Sequence, residues 1–107
     1  MKRGNNVKYV LQDEIEGYGH FNNEKILIVD DNDTNLYVVK TILEDRGLIV
    51  DTALSGSEGI ARFKHSGENE YRIVFLDINM YDMNGYEVSK KIRVLSRNDA
   101  EKVPIYA

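Results

Sequence analysis

RIVFLDINMYD, residues 72–82, decides how this chain is read. Ile73, Val74, Phe75 and Leu76 form an unbroken apolar run that ends at Asp77. Such a run suits a strand buried on both faces, as in a parallel sheet covered by helices on either side. Periodicity alone also fits a buried helix segment. Four β-formers that end at an acid and are followed by Asn79, Asp82 and Asn84 favour the strand. In an open α/β sheet, ligands bind at the mouth beyond the carboxyl ends of the strands, so Asp77 stands where chemistry is done.

Upstream, KILIVDD (residues 25–31) is a second buried-strand run, Ile26 to Val29, and it too ends in acids, Asp30 and Asp31. From Thr34 to Arg46, Leu36, Val39, Ile42 and Leu43 recur at helical spacing; Asn32 or Asp33 can cap the start and Gly47 suits the residue after the end. Leu48–Thr52 reads as a short β-branched strand. Ser55 and Glu58 have capping-box spacing and open a helix expected to bury Ile60, Ala61 and Phe63. Residues 65–70 read as polar loop.

Downstream of the central strand, Asn84 and Glu87 repeat the capping arrangement. Val88, Ile92 and Leu95 line one face of the next helix, with Lys90, Lys91 and Arg93 expected in water. Residues 97–102 read as a polar connection, and 103–107 begin a fourth strand with Pro104 near its start, where a missing N–H is tolerated. The order β-α-β-α-β-α-β predicts right-handed crossovers and an α/β fold, a doubly wound parallel sheet with helices on both faces. Residues 1–24 read as an N-terminal extension or linker. Val7, Val10, Leu11, Ile15 and Tyr18 recur at roughly helical spacing there and allow a short helix over about 6–16, ended by Gly17 and Gly19.

Composition narrows the function classes. A hydrophobic fraction of 42% with 30% charged residues is ordinary for a globular chain of 107 residues. A net charge of −4 gives no electrostatic reason to expect nucleic acid or an anionic membrane as a direct partner. With no cysteine there is no disulfide framework and no thiolate metal site, which fits a cytoplasmic protein. No apolar run approaches the roughly 18 residues that span a bilayer.

In a doubly wound sheet that reverses direction, the first and third strands are neighbours, so Asp30, Asp31 and Asp77 converge on one mouth. Alone, three carboxylates repel and at least one pKa rises; a hard divalent cation removes the conflict. Magnesium takes oxygen ligands octahedrally, and the Asn79 backbone carbonyl, two residues past Asp77, can supply another. An aspartate beside a cation can also attack phosphorus and form an aspartyl phosphate. The physical reading is phosphoryl acceptance at Asp77, with Asp30 and Asp31 holding Mg2+. Any one of these acids taken singly reads as readily as a turn residue or cap.

VDDNDTN at 29–35 and LDINMYDMNGYE at 76–87 resemble the receiver domains of two-component response regulators, over about residues 24–107, with the domain itself placed at 25–107. The Asn32 and Asn35 of the first motif look most like receivers attached to hybrid sensor histidine kinases. The resemblance implies a flavodoxin-like strand order and Asp77 as the phosphoacceptor. It also implies Asp31 as a direct Mg2+ ligand, Asp30 as a mainly water-mediated one, and the Asn79 carbonyl as the remaining protein ligand. It implies a histidine kinase or histidine phosphotransfer domain as partner, and a signalling module rather than an enzyme.

Two departures from the family pattern stand out. Receivers usually carry Pro after the residue matching Met80, and this chain has Tyr81. The sequence also stops at Ala107, before the family's Ser/Thr, fifth strand, Lys and last two helices, so the expected fold is incomplete. Three explanations stand: a fragment, which is preferred; completion by another chain through the exposed sheet edge; or cover from the Val7, Val10, Leu11 and Ile15 face.

Two other functions compete with the phosphoacceptor: a receiver-like interaction or assembly domain that is not phosphorylated, and an aspartate-nucleophile phosphatase. The phosphatase motif fails at Asn35, where Thr or Val is needed. A calcium loop beginning at Asp31 fails at Leu36 and Ile42, where Gly and a bidentate Glu are needed. His20 and His65 read as solvent-facing, and Tyr106 as packing.

Overall fold

A computed structural model describes residues 23–106. The helix expected over about 6–16, its apolar face and His20 lie outside the described residues. The described elements are β1 (Lys25–Val29), α1 (Asp33–Asp45), β2 (Ile49–Ala53), α2 (Gly56–His65), β3 (Tyr71–Leu76), α3 (Gly85–Arg93), α4 (Asn98–Lys102) and β4 (Ile105–Tyr106). All strand pairs are parallel and the sheet runs β2-β1-β3-β4. The chain steps from β1 to β2 on one side, then crosses back over β1 to β3. The reversal sits between β1 and β3, as the doubly wound reading requires.

The two apolar runs are buried on both faces because β1 and β3 are inner strands. Side chains alternate across the sheet, so each run feeds two cores. Leu27 and Val29 pack with Val74 and Leu76 beneath Phe63, Val88 and Ile92. On the opposite face Ile26 and Ile28 meet Phe75, Val50, Leu36, Val39 and Leu43. The pairing Leu27–Val74, Ile28–Phe75 and Val29–Leu76 keeps like faces together, and a register irregularity after Lys25 leaves Arg72 unpaired at the start of β3.

Capping follows the sequence closely. Asn32 is the cap of α1, its side chain accepting from the Asn35 N–H, and Gly47 after the helix adopts φ 95°, a conformation that suits glycine. Ser55 accepts from the Glu58 N–H, while Glu58 reaches Leu54 rather than closing the full box. Asn84 and Glu87 do form the reciprocal box at α3, with both bonds at 2.9 Å.

Several local expectations need correction. Ala61 and Ile42 are exposed, because each lies to one side of its helix's buried stripe. Arg93 is only half exposed, since its guanidinium turns back to donate to the Ala100 carbonyl at 3.3 Å. The polar connection contains helix α4, with Asp99 and Ala100 buried. The reason is Arg97. Its guanidinium donates to the carbonyls of Phe63 (3.0 Å), Ser66 (2.9 Å) and Gly67 (2.9 Å), and pairs with Asp99 at 2.6 Å. It also lies over the Phe63 ring, 4.8 Å from the centroid. Asp99 in turn accepts from the Asn69 N–H at 2.7 Å. The pair thus ties off carbonyls at the end of α2 and aims the chain into β4. Tyr106 stacks on Phe75 at 5.3 Å, the packing role expected of it.

Arg97→Ala is expected to destabilise the domain by about 3 kcal/mol, because it strands Asp99 in a buried setting. Arg97→Lys recovers only part of this, since an ammonium cannot span the same fork of acceptors. Urea unfolding of the three proteins checks both statements.

Candidate functional site

The strand ladders continue one residue past the strands, and this positions the acids. Asp30 N donates to the Ala53 carbonyl at 3.0 Å, and Asp77 N to the Val29 carbonyl at 2.9 Å. Asp30, Asp31 and Asp77 are therefore carried to the same edge, where one oxygen from each carboxylate lies within 4.8 Å of the others. Burial is graded: Asp30 is 3% exposed, Asp77 is half-buried and Asp31 is exposed. Burial pushes the Asp30 carboxyl up to about 6; the Asn32 N–H opposes that shift and the nearby Asp77 carboxylate adds to it. Every donor at the mouth is an oxygen, a set that suits a hard cation and not a soft one.

Each carboxylate also receives one backbone N–H. Asn32 N donates to Asp30 Oδ1 at 2.9 Å, and Asn79 N to Asp77 Oδ1 at 3.2 Å, both turns two residues long. Tyr81 N donates to Asp31 Oδ2 at 2.9 Å from 50 residues away. The Asn35 amide makes a long contact of 3.5 Å with Asp30 Oδ2. Asn79 is exposed on the loop after Asp77, on the rim of the mouth.

Two further contacts shape this loop, and neither was legible in the sequence. Gly85, the first residue of α3, donates to the Ile78 carbonyl at 3.0 Å, and a Cβ there would lie 2.8 Å from the Asp77 carbonyl oxygen. Helix α3 therefore starts directly beneath the acid. Asp82 accepts from the N–H groups of Gly56 (2.9 Å) and Ser57 (3.0 Å) and from Ser57 Oγ (2.9 Å). It satisfies two free amides at the start of α2. Its role depends on a helix 25 residues away, and no local spacing signals that. His65 is exposed, its Nδ1 2.8 Å from the Ala61 carbonyl and remote from the mouth in sequence and strand position.

The response regulator receiver domain family matches residues 26–107. The hybrid signal transduction histidine kinase L of Dictyostelium discoideum is 44% identical over 69 residues, 64% of this chain and 4% of that protein. Chemotaxis protein CheY4 of Vibrio cholerae superposes with a TM-score of 0.70 at 31% identity, over 78% of this chain and 65% of that one. The response regulator TrrA of Thermotoga maritima, solved in complex with Mg2+ and BeF, has a TM-score of 0.60 at 36% identity, over 65% of this chain and 58% of that one. The chain belongs to the response regulator receiver family, the signal-transduction domains of two-component systems. It spans a small fraction of the curated relatives it matches, 4% to 10% of their length. Among the described residues no helix is long and apolar enough to cross a membrane.

The Asp82 clamp is pH-dependent. The Gly56 and Ser57 N–H groups hold its carboxyl down from 3.8 to about 2. A depressed carboxyl stabilises the fold above its unfolded pKa, and that contribution is lost as pH falls from about 4 through about 2. Asp82→Asn is expected to be less stable than wild type at neutral pH, with the gap narrowing across that window. Urea unfolding of both proteins at stepped pH measures it.

Proposed function

We propose that this domain is a phosphoacceptor of a two-component phosphorelay, taking a phosphoryl group from a phosphohistidine onto Asp77. The observation that carries this reading is the convergence of Asp30, Asp31 and Asp77 at the sheet's switch point. Asp77 is assigned as the acceptor by its place in the receiver motif; it is half-buried, whereas Asp30 is buried and hydrogen-bonded into the α1 turn. Asn79 N engages one lone pair of Asp77 Oδ1 and leaves that oxygen another for a cation, so the attack is assigned to Oδ2. An Oδ2–P bond forms as the donor's N–P bond breaks, and the departing imidazole nitrogen takes a proton from solvent.

The all-oxygen donor set fits Mg2+, which Asp31, Asp77 and the Asn79 carbonyl would hold directly and Asp30 mainly through water. When bound, Mg2+ supplies charge stabilisation to the transferring phosphoryl group. The relative solved with Mg2+ and BeF supports this choice of ion. The remaining work belongs to the chain. Asp30 and Asp31 set the charge of the mouth, and the fixed start of α3 under Asp77 limits how far the acceptor moves.

The donor is a histidine kinase or a histidine phosphotransfer domain, in keeping with relatives that are hybrid histidine kinases. The cytoplasm, where ATP-dependent kinases act, is the compartment this implies. On this reading the domain is a signalling module rather than an enzyme. Self-association would use the outer edge of β4, which pairs with β3 on one side only among the described residues.

Beryllofluoride with Mg2+ tests the proposal. Wild type should show saturable amide shifts in NMR spectra around residues 77–85, and Asp77→Asn should lose them. Mg2+ binding without any beryllofluoride response would instead favour an interaction domain that is not phosphorylated.

A further inference from the structure

We propose that Asn84–Gly85 is a self-modifying pair, able to lose ammonia through a cyclic imide and kept from doing so by the hydrogen bonds that begin α3. It is the one Asn-Gly step in the sequence. The structure calls for both members. Position 84 caps α3 with a side-chain acceptor, which Asn84 offers to the Glu87 N–H. Position 85 has no room for a side chain, because a Cβ there would lie 2.8 Å from the Asp77 carbonyl oxygen.

The chemistry follows from that juxtaposition. In an opened chain Gly85 N gives its proton to solvent base and attacks Asn84 Cγ. An N–Cγ bond forms, the bond from Cγ to the side-chain nitrogen breaks, and ammonia leaves with a proton from water. Water then opens the imide ring at either carbonyl and leaves aspartate or isoaspartate at position 84. Glycine favours the attack, since it has no Cβ to shield its nitrogen and turns freely. Asn84 is exposed, so water reaches it.

The fold holds each reacting part away from the others. Gly85 N donates to the Ile78 carbonyl at 3.0 Å, so its proton is engaged. Asn84 Oδ1 accepts from Glu87 N at 2.9 Å, which fixes the side chain, and Asn84 N donates to Glu87 Oε1 at 2.9 Å. Ring closure needs rotation about the Asn84 Cα–C bond away from the observed ψ of 167°, and that rotation breaks the Gly85 and Glu87 bonds together. The reaction therefore proceeds from a locally opened start of α3. Its two products differ. Aspartate keeps an acceptor for the cap and suits a helix start. Isoaspartate lengthens the main chain by one carbon, and Gly85 then cannot both reach Ile78 and stay seated under Asp77.

The test incubates wild type, Glu87→Ala and Val39→Ala in mildly alkaline buffer, and wild type also in unfolding urea, with Asn84 followed by peptide mass spectrometry. Glu87→Ala removes one bond of the box. Val39→Ala weakens the core on the other face of the sheet and leaves α3 untouched. Wild type is expected to react in urea as fast as a free peptide of residues 80–90, and at least about tenfold slower when folded. Folded Glu87→Ala should run about fivefold faster than folded wild type, the effect of one lost capping bond, with Val39→Ala within about twofold of wild type. No reaction in urea, or equal rates folded and unfolded, overturns the inference. So does an unchanged rate in Glu87→Ala, or an equal acceleration in Val39→Ala. Should either variant fail to fold, wild type in low urea decides: a rate that stays flat below the unfolding transition supports local opening, and one that rises in step with global unfolding overturns it.

Discussion

Carboxylate repulsion, imposed by strand pairing, is the constraint around which this domain is arranged. Ile26–Val29 and Val74–Leu76 are buried and paired side by side, and each run ends in acid. The apolar residues cannot leave the sheet without giving up burial of about 1.5–3 kcal/mol per side chain. The acids are therefore held within 4.8 Å of one another whatever their charges prefer. Hydrophobic burial supplies the force, and the carboxylates carry the strain.

The surrounding backbone answers that strain with one amide per acid. Three N–H dipoles, from Asn32, Asn79 and Tyr81, each engage one carboxylate oxygen, and the Asn35 amide adds a long contact to the other oxygen of Asp30. Burial keeps Asp30 reluctant to ionise, while Asp31 stays in contact with water. The mouth is thus held together incompletely. It is compensated enough to fold and remains electrostatically suited to a hard cation.

Much of this was legible in the chain, and the limits of legibility have physical causes. The buried runs, the acids that end them and the caps Asn32, Ser55 and Asn84 are local signals, and they read correctly. Family membership rested on the same two motifs. What escaped were contacts between distant segments. Arg97 looks like a solvated charge until the carbonyls at the end of α2 gather around it. Asp82 looks like a loop acid until the start of α2 arrives beside it. Tyr81 stood out as a departure from the family's usual Pro. What Pro cannot supply, and Tyr81 does, is the N–H that reaches Asp31.

The inner strands and the β4 end of the sheet are unequally held. Inner strand β1 has a neighbour on each side and a core on each face, whereas β4, at one end, contributes two residues and, among the described residues, pairs only with β3. Local opening follows the gradient of burial and pairing, so it begins where both are thin. Fraying at β4 releases Ile105 and Tyr106 without breaking the β1–β3 ladder that carries the acids. The acidic mouth therefore sits on the slow-exchanging part of the domain, and the margin beside β4 can breathe while the charge cluster keeps its shape.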